Sequence, residues 1–398
     1  MTRSLGSDPA PAKVLIVDDL EVNRDLLARR VQRLGHSIGF AASGRLALAS
    51  LRASPFDLVL LDITMPDMDG YEALAQIKGD PALAHIPVVM VTAIDEVDSV
   101  VRCLELGAED TITKPFNPVV LKARIESSLN KKRLADSNAA LLQSLSREMA
   151  IAQKIQLGFL PEALPQLPGW PVAAVCVPAK HVGGDFYDAL LLTDGRLAFT
   201  VADVCDKGVG AALYMALFRS LLRISLQQAA RGQDAASLLE KAVRLTNDYV
   251  ASEHSRDNMF ATVFTAILDP GTGQMDYINA GHDAPWLLRQ GATAVERLLP
   301  DGLALGMMAE QQYQPRRLVL QRGDRMLLAT DGLPEALDAN DQPFGDNRVA
   351  ALLSAASDSP QDLLKAIRAE VVQHVNGRQP HDDLTMLCLF AQAGMASH

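Results

Sequence analysis

The sequence predicts two folded parts of different class, joined by a long helix. Residues 12–128 are predicted to form an open, doubly wound α/β domain with a five-stranded parallel sheet, because continuous apolar runs alternate there with helical patterns. Residues 161–394 are predicted to form an α+β domain, because short strands, such as ALLLT, and Gly-containing turns are interrupted there by separate helical patterns at about 209–229, 235–252 and 346–375. Residues 129–160, between them, have helical spacing.

Composition and charge narrow the class of protein. A hydrophobic content of 48% with 21% charged residues is that of a globular chain, and the net charge of −11 argues against broad binding to nucleic acid or to an anionic membrane. No apolar run reaches about 18 residues and no signal peptide is visible, so we expect a cytoplasmic protein. The cysteines are widely spaced and are predicted to be buried free thiols: Cys103, Cys176, Cys205 and Cys388.

The first part carries polar residues where its predicted strands end. The strands are KVLIVDD, GHSIGFAAS, FDLVLLD, IPVVMVT and DTITKP, and the polar residues after them are Asp18, Asp19, Asp62, Thr92 and Lys114. A single Asp in such a place is more often a turn or cap residue, but five polar residues at four strand ends are more specific. Strand ends of this fold meet at one ligand-binding edge. Three carboxylates there call for a cation such as Mg²⁺, and an Asp beside Mg²⁺ and Lys can accept a phosphoryl group.

Residues 12–128 resemble the receiver domain of bacterial response regulators, and the string MPDMDG (65–70) matches the loop that follows the acceptor. The resemblance implies that Asp62 is the phosphoacceptor, that Thr92 and Lys114 contact the phosphoryl group, and that Lys114–Pro115 is a cis bond. It also implies a histidine kinase as partner and one Mg²⁺, held by Asp18, Asp19, Asp62 and the backbone carbonyl of Thr64. Receivers commonly have an aromatic residue where this chain has Thr111, so the route of the signal out of the domain stays open.

The middle stretch from Asn130 to Leu160 predicts one amphipathic helix. Its apolar or small positions are separated mostly by three or four residues: Leu134, Leu141, Leu145, Met149, Ala152, Gln156 and Phe159. Two successive steps of four after Leu141 form a stutter, which locally unwinds a coiled coil. Two interpretations remain open: a helix packed on its own domain, or a signalling helix that forms a homodimer through 129–160.

Aspartates again accompany the predicted strands of the last part. They are Asp185, Asp203, Asp331, Asp382 and Asp383. Each alone could be a turn residue beside glycine, but their recurrence after apolar runs indicates a site. Carboxylates without neighbouring Cys or His ligands suit Mg²⁺ or Mn²⁺ rather than zinc. Two such ions can hold a hydroxide for attack on phosphate.

Five strings of this part resemble, in order, motifs of the PPM family of metal-dependent serine/threonine phosphatases, which have the protein phosphatase 2C fold. They are VGGDFYD, VADVCDKGVGAAL, NAGH, TDGLPEA and DDLTML, and the SpoIIE/RsbU branch is the most similar. The resemblance implies an αββα sandwich and two Mn²⁺ or Mg²⁺ ions. The implied ligands and catalytic residues are Asp185, Asp203, Asp331 and Asp382, with the Val204 carbonyl as a further ligand. Asp383 is expected to support these ligands.

The match to the family pattern is incomplete at a few positions. His181 stands where Glu is usual, and Asp206 where Gly is frequent. No firm equivalent of the phosphate-binding arginine of eukaryotic members is found, and Lys180 is a weak candidate. We expect a structural role for His282. We expect Asp188 to be a structural residue or a residue at the rim of the site, because residues three apart on an extended chain face opposite sides and Asp185 takes the metal side.

Together these observations predict a response regulator whose output is dephosphorylation of phosphoserine or phosphothreonine on a protein. The resemblance suggests an anti-sigma-factor antagonist as substrate, in a partner-switching pathway. Phosphorylation of Asp62 is expected to control the activity, and whether it activates or inhibits stays open. The alternatives are a non-catalytic adaptor that binds a sigma-pathway protein, and a receiver with a DNA-binding output. The acidic charge and the absence of a terminal helix-turn-helix pattern disfavour the latter.

Overall fold

The structure is a computed structural model. It describes residues 10–93, 97–228, 233–254, 256, 258–355 and 357–392. The predicted end of the last domain at 394 and the last residue of a helical pattern predicted over 209–229 lie outside these residues. The chain divides into two compact units, Met1–Leu145 and Ser146–His398. The domain boundaries proposed from the sequence remain a prediction.

The first unit is a five-stranded parallel sheet covered by helices on both faces, as predicted. Its strand order is β2-β1-β3-β4-β5, with every pair parallel. Buried side chains of the strands point alternately to two apolar layers, one formed with α2 and α3 and one with α1 and the start of α5. The elements are β1 (Lys13–Val17), α1 (Glu21–Arg33), β2 (Ser37–Ala41), α2 (Gly44–Ala53), β3 (Leu58–Asp62), α3 (Gly70–Gly79), β4 (Val88–Thr92), α4 (Val97–Glu105) and β5 (Asp110–Thr113).

A single helix, α5 (Pro118–Leu157), contains most of the stretch predicted to be helical. It begins earlier than predicted, because Leu121, Ile125 and Leu129 continue the helical spacing into the first unit and are buried there. Further along, Leu134 and Leu141 are 64% and 59% exposed. The helix therefore begins in the first unit and ends in the second, and part of its apolar face is exposed to solvent.

The second unit is the predicted sandwich of two five-stranded sheets between pairs of helices. The sheets have the orders β13-β10-β9-β8-β7 and β12-β11-β14-β15-β6, and all their strand pairs are antiparallel. One apolar layer fills the space between the sheets. A second lies under α6 and α7, and a third under α8 and α9. The outer layers thus place the helices on opposite sides of the paired sheets.

The bounds of these elements follow. The strands are β6 (Val172–Val177), β7 (Phe186–Leu191), β8 (Leu197–Val204), β9 (Ala261–Leu268), β10 (Gln274–Ala280), β11 (Trp286–Leu288), β12 (Val295–Arg297), β13 (Arg316–Val319), β14 (Arg325–Ala329) and β15 (Leu384–Phe390). The helices are α6 (Val209–Gln227), α7 (Ala235–Glu253), α8 (Asp346–Ser354) and α9 (Pro360–Val375).

The structure corrects several details of the second unit. The strand predicted around ALLLT begins at Phe186, directly after Asp185. The helical pattern predicted over 346–375 is two helices, because the Ser359 side chain caps α9 and Pro360 occupies its first turn. The short strands β11, β12 and β13 were not predicted. Of the four cysteines, which are all free thiols, Cys103 and Cys388 are buried but Cys176 and Cys205 are only half-buried.

Helix α6 is apolar enough, by length and composition, to cross a membrane, and it is the one such helix among the described residues. Its buried face, which includes Met215, Phe218 and Leu222, packs in the layer beneath α6 and α7. Helix α6 therefore packs one face against the sandwich, as an amphipathic helix of its outer layer does.

Candidate functional sites

The first unit brings its three strand-end carboxylates together. Asp18, Asp19 and Asp62 each offer an oxygen atom within 4.8 Å of the others. Asp18 and Asp62 are buried, and Asn23 donates to both oxygens of Asp18 at 3.1 Å. Hard carboxylate oxygens at this spacing fit the predicted Mg²⁺. Thr64, the predicted backbone ligand, lies exposed in the loop after β3.

Lys114 completes this site from the end of β5. Its Nζ lies 2.9 Å from Oδ2 of Asp18 and 2.9 Å from Oδ1 of Asp62. The backbone N–H of Lys114 donates to the carbonyl of Thr92 at 2.7 Å, and the Lys114–Pro115 bond is cis as predicted. Burial raises the pKa of Asp62, and the hydrogen bond from Lys114 opposes that shift. The predicted acceptor, a phosphoryl contact and two predicted metal ligands therefore share one cluster.

The second unit assembles its carboxylates from both sheets. Asp185 directly precedes β7 and Asp203 lies near the end of the adjacent β8, in one sheet. Asp331 lies two residues after the end of β14, and Asp382 lies two residues before the start of the adjacent β15, in the other sheet. Because neighbouring antiparallel strands start and end at the same edge, each sheet delivers a pair of aspartates to one end of the sandwich.

Burial and mutual repulsion govern the protonation of this group. Burial, followed by the charge of Asp203, raises the pKa of Asp185 well above its usual range. Burial and Asp331 raise the pKa of Asp203 to about 7. Burial and Asp382 raise the pKa of Asp331 to about 6. The charge of each carboxylate thus raises the pKa of the one before it, in a carboxylate chain that runs from Asp185 through Asp203 and Asp331 to Asp382.

The carboxylates of this carboxylate chain are less closely spaced than those of the first unit. Among the described residues, no three of its carboxylates satisfy the 4.8 Å spacing that Asp18, Asp19 and Asp62 satisfy. Carboxylate oxygens spread over a longer distance, with no Cys or His ligand among them, fit two hard cations better than one. The residues present are therefore suited to the two ions that the sequence implied.

A neutral hydroxyl group and backbone N–H groups hold Asp185 and its loop, at the buried end of the carboxylate chain. The Thr330 hydroxyl donates to Oδ2 of Asp185 at 2.7 Å. Asp383 turns the other way: its Oδ1 accepts the N–H of Ala179 at 2.7 Å and its Oδ2 accepts the N–H of Gly184 at 2.8 Å. A Cβ on Gly184 would lie 2.5 Å from the carbonyl oxygen of Val204, the predicted backbone ligand. Asp383 therefore holds the glycine loop that carries Asp185.

The end of α5 also holds this loop, through a residue that the sequence did not single out. Nε2 of Gln156 donates to the carbonyl of Gly183 at 2.5 Å, and the N–H of Gly183 donates to Oε1 of Gln156 at 3.1 Å. Gln156 is buried although it is polar. Its place on the apolar seam of the helix was the only available signal, because the partner lies in a distant loop.

A lysine that the sequence analysis also missed lies at the other end of the carboxylate chain. Nζ of Lys207 is 2.7 Å from Oδ2 of Asp382 and donates to the carbonyl of His381 at 2.7 Å. The preceding residue, Asp206, has φ 72°, a left-handed conformation that Gly adopts readily and Asp tolerates. This explains why Asp can stand where the family pattern often has Gly.

Two further polar residues have structural partners. Asp188 is buried and lies 3.4 Å from Arg219 and 2.5 Å from Arg223 of α6. Nδ1 of His282 is 2.9 Å from the Thr262 hydroxyl, and burial lowers its pKa to about 4, so the imidazole is neutral. These contacts agree with the structural roles predicted for both. His181 and Lys180 are exposed.

Family models match both units. The model described as Stage II sporulation protein E (SpoIIE) matches residues 193–391, and the response regulator receiver domain model matches residues 14–126. The chain is 31% identical over 395 residues to Protein IcfG of Synechocystis sp., covering 94% of this chain and 58% of that protein. It is 39% identical over 125 residues to Response regulator PleD of Caulobacter vibrioides, covering 31% of this chain and 28% of that protein.

Among solved structures, the SiaA-PP2C domain of Pseudomonas aeruginosa has a similar fold. Its TM-score is 0.54 at 22% sequence identity, and the match covers 63% of this chain and 99% of that chain. This similarity supports the protein phosphatase 2C-like fold of the second unit. The chain spans less than two thirds of the length of the curated relatives named above.

The raised pKa values predict that Mn²⁺ binding to the second unit releases protons. Below about pH 6, Asp203 and Asp331, with pKa values of about 7 and about 6, are largely protonated, and a bound cation displaces those protons. We expect release to be large near about pH 6 and to vanish well above pH 7, with Mn²⁺ affinity rising over the same interval. Calorimetry in two buffers of different ionisation enthalpy measures it.

An Asp18→Ala, Asp19→Ala chain removes the contribution of the first unit and serves as the background for this measurement. Binding without proton release near pH 6 in that background would show that these carboxyl groups are not the ligands.

Proposed function

We propose that this chain is a response regulator whose output is metal-dependent hydrolysis of phosphoserine or phosphothreonine on a protein. The chain belongs to the SpoIIE family through residues 193–391, and it has a receiver domain at residues 14–126. The observation that carries the proposal is the chain of four aspartates at one end of the paired sheets, Asp185, Asp203, Asp331 and Asp382. The raised pKa values of Asp185, Asp203 and Asp331 indicate a site whose negative charge calls for cations or protons to neutralise it.

The proposed reaction divides the work between these residues. Two bound Mn²⁺ or Mg²⁺ ions would supply an activated water and neutralise charge on the phosphoryl group. Asp203, from one sheet, and Asp331, from the other, would each help to hold a cation at this end of the sandwich. The Thr330 hydroxyl would keep Asp185 oriented, since it donates to the Oδ2 atom of that buried carboxylate.

We propose Asp62 as the site of phosphorylation by a histidine kinase. The Asp62 carboxylate lies 2.9 Å from the ammonium group of Lys114, which would stay beside the transferred phosphoryl group and offset its charge. Asp18 and Asp19, with the Thr64 carbonyl, would hold one Mg²⁺ beside the acceptor. Thr92, buried at the end of β4, would contact a phosphoryl oxygen.

Helix α5 offers a route from phosphorylation to the output. Its first turns pack in the first unit and its last turn bonds the backbone of Gly183, two residues before Asp185. A shift or rotation at the end of the helix would pull on both hydrogen bonds and move the loop that carries this ligand. We therefore propose that the signal acts on the placement of Asp185.

We also propose that the chain forms a homodimer through residues 129–160. Exposed apolar side chains on α5 support it, among them Leu141, Leu142 and Leu145. Sedimentation velocity tests it, with a Leu141→Lys, Leu145→Lys chain expected to shift from dimer to monomer because charges in a helix seam oppose pairing. A wild-type chain that stays monomeric at about 100 µM would contradict this proposal.

The substrate that we propose is a phosphorylated anti-sigma-factor antagonist, whose dephosphorylation would operate a partner-switching pathway in the cytoplasm. This part of the proposal rests on the SpoIIE family membership. A non-catalytic adaptor remains the competing function.

Hydrolysis of p-nitrophenyl phosphate separates an enzyme from an adaptor. We expect Mn²⁺-dependent hydrolysis by the wild-type chain and a loss of about 100-fold or more in kcat/KM for Asp203→Ala, because a carboxylate that would hold a cation is removed. Glu370→Ala, an exposed carboxylate change on α9, is the matched control and should retain activity. A wild-type chain that binds a sigma-pathway protein but hydrolyses nothing would be an adaptor.

A second assay tests control by Asp62 on candidate phosphorylated antagonists. An acyl phosphate donor should change the rate of their dephosphorylation by the wild-type chain, and the donor should have no effect on Asp62→Ala, which lacks the acceptor. Asp25→Ala, an exposed carboxylate on α1, controls for loss of charge from the same unit. Equal rates with and without donor in the wild-type chain would refute the coupling.

A further inference from the structure

Lys207 occupies the rim of the carboxylate chain. Its Nζ contacts Oδ2 of Asp382 and the carbonyl oxygen of His381, both at 2.7 Å. Among the described residues, it is the only Lys or Arg that forms an ion pair with any of the aspartates of this end of the sandwich: Asp185, Asp203, Asp331, Asp382 or Asp383. A positive charge in this place has a direct bearing on how a phosphate approaches.

The backbone around Lys207 directs the side chain to this rim. Val204, the predicted backbone ligand, is separated from Lys207 by two residues, and α6 begins two residues after it. The N–H of Lys207 donates to Oδ1 of Asp206 at 2.7 Å, which ties the peptide to the preceding turn. The loop that would supply a metal ligand therefore also positions the lysine.

The ammonium group retains capacity for one more acceptor. It has three N–H donors, and two are directed at Asp382 and His381. The side chain is 32% exposed, so the remaining donor is accessible from solvent. An incoming oxygen anion would meet a charged donor that is already held in place by two contacts, which limits the entropy lost on binding.

A phosphate monoester would gain from such a donor here. It is a dianion near neutral pH, and the two proposed cations would offset the four carboxylates, so Lys207 would add positive charge for the phosphoryl oxygens. Charge-assisted hydrogen bonds to phosphoryl oxygens are also among the strong ones. Lys180, the candidate from the sequence, makes no ion pair with these aspartates in the part of the chain that the structure describes.

We propose that Lys207 donates its third N–H to a phosphoryl oxygen of the substrate and of the product phosphate. This inference rests on the proposed phosphatase function. Asp382 and the His381 carbonyl position the ammonium group, and Lys207 thereby takes the role that an arginine plays in eukaryotic members.

Binding of inorganic phosphate to the Mn²⁺-loaded full chain tests the proposal without requiring turnover. By calorimetry, Lys207→Met should weaken phosphate binding by about tenfold or more, the effect expected for loss of one charged hydrogen bond. Lys207→Arg should retain most of the affinity. Lys365→Met, an exposed lysine change on α9, should bind phosphate like the wild-type chain.

Mn²⁺ titration of each variant shows whether its metal site is intact, and Lys207→Gln provides a neutral second variant if Lys207→Met does not fold. Unchanged phosphate affinity in the neutral variants overturns the proposal, and tighter Mn²⁺ binding alongside it would mean that Lys207 only balances the charge of Asp382. A loss of phosphate binding in Lys180→Met but not in Lys207→Met would also overturn it, in favour of Lys180.

Hydrolysis of p-nitrophenyl phosphate by the same samples separates the two proposals. Lys207-dependent phosphate binding without any turnover by the wild-type chain would sustain the inference and refute the phosphatase function. Turnover with Lys207-independent phosphate binding would do the reverse. Failure of the Mn²⁺-loaded wild-type chain to bind phosphate would overturn the inference.

Discussion

Repulsion between buried carboxylates is the constraint on which the second unit is built. Asp185 is buried and Asp203 and Asp331 are half-buried, yet like charges in a low-dielectric setting are unstable without compensation. Asp203 lies within a strand and the other aspartates lie within two residues of a strand end, so the packed sandwich holds them against that repulsion. Thr330 reduces the cost with a hydrogen bond to Asp185, and His282 stays neutral.

The two units compensate the repulsion between their carboxylates in different ways. In the first, Lys114 is inserted between Asp18 and Asp62, so one ammonium group satisfies two carboxylates at once. In the second, Lys207 reaches only Asp382, at one end of the carboxylate chain. The remaining aspartates instead have raised pKa values. A site of the second kind depends more on what binds to it, which suits an output that is to be controlled.

What could be predicted from the sequence follows the range of each interaction. The parallel sheet and its strand-end aspartates were predictable because the strands are continuous apolar runs with polar residues directly after them. Strands β11 to β13 were missed because three or four residues carry too little periodic signal. Ser359 and Pro360 are sequence signals for the break between α8 and α9, but helical spacing on both sides of them led to the prediction of a single helix. Gln156, Thr330 and Lys207 acquire their roles from partners distant in sequence, and no local pattern indicates such contacts.

The pair of hydrogen bonds between Gln156 and Gly183 has a consequence that runs against the direction of the signal. A bond between two groups has no preferred direction, so whatever stabilises one arrangement of the glycine loop also stabilises the matching arrangement of the last helical turn. Occupation of the site at Asp185 would then be felt in α5 with the same free energy by which the helix biases that site. The conformation of the helix would then depend on whether the site is occupied, just as the site depends on the helix.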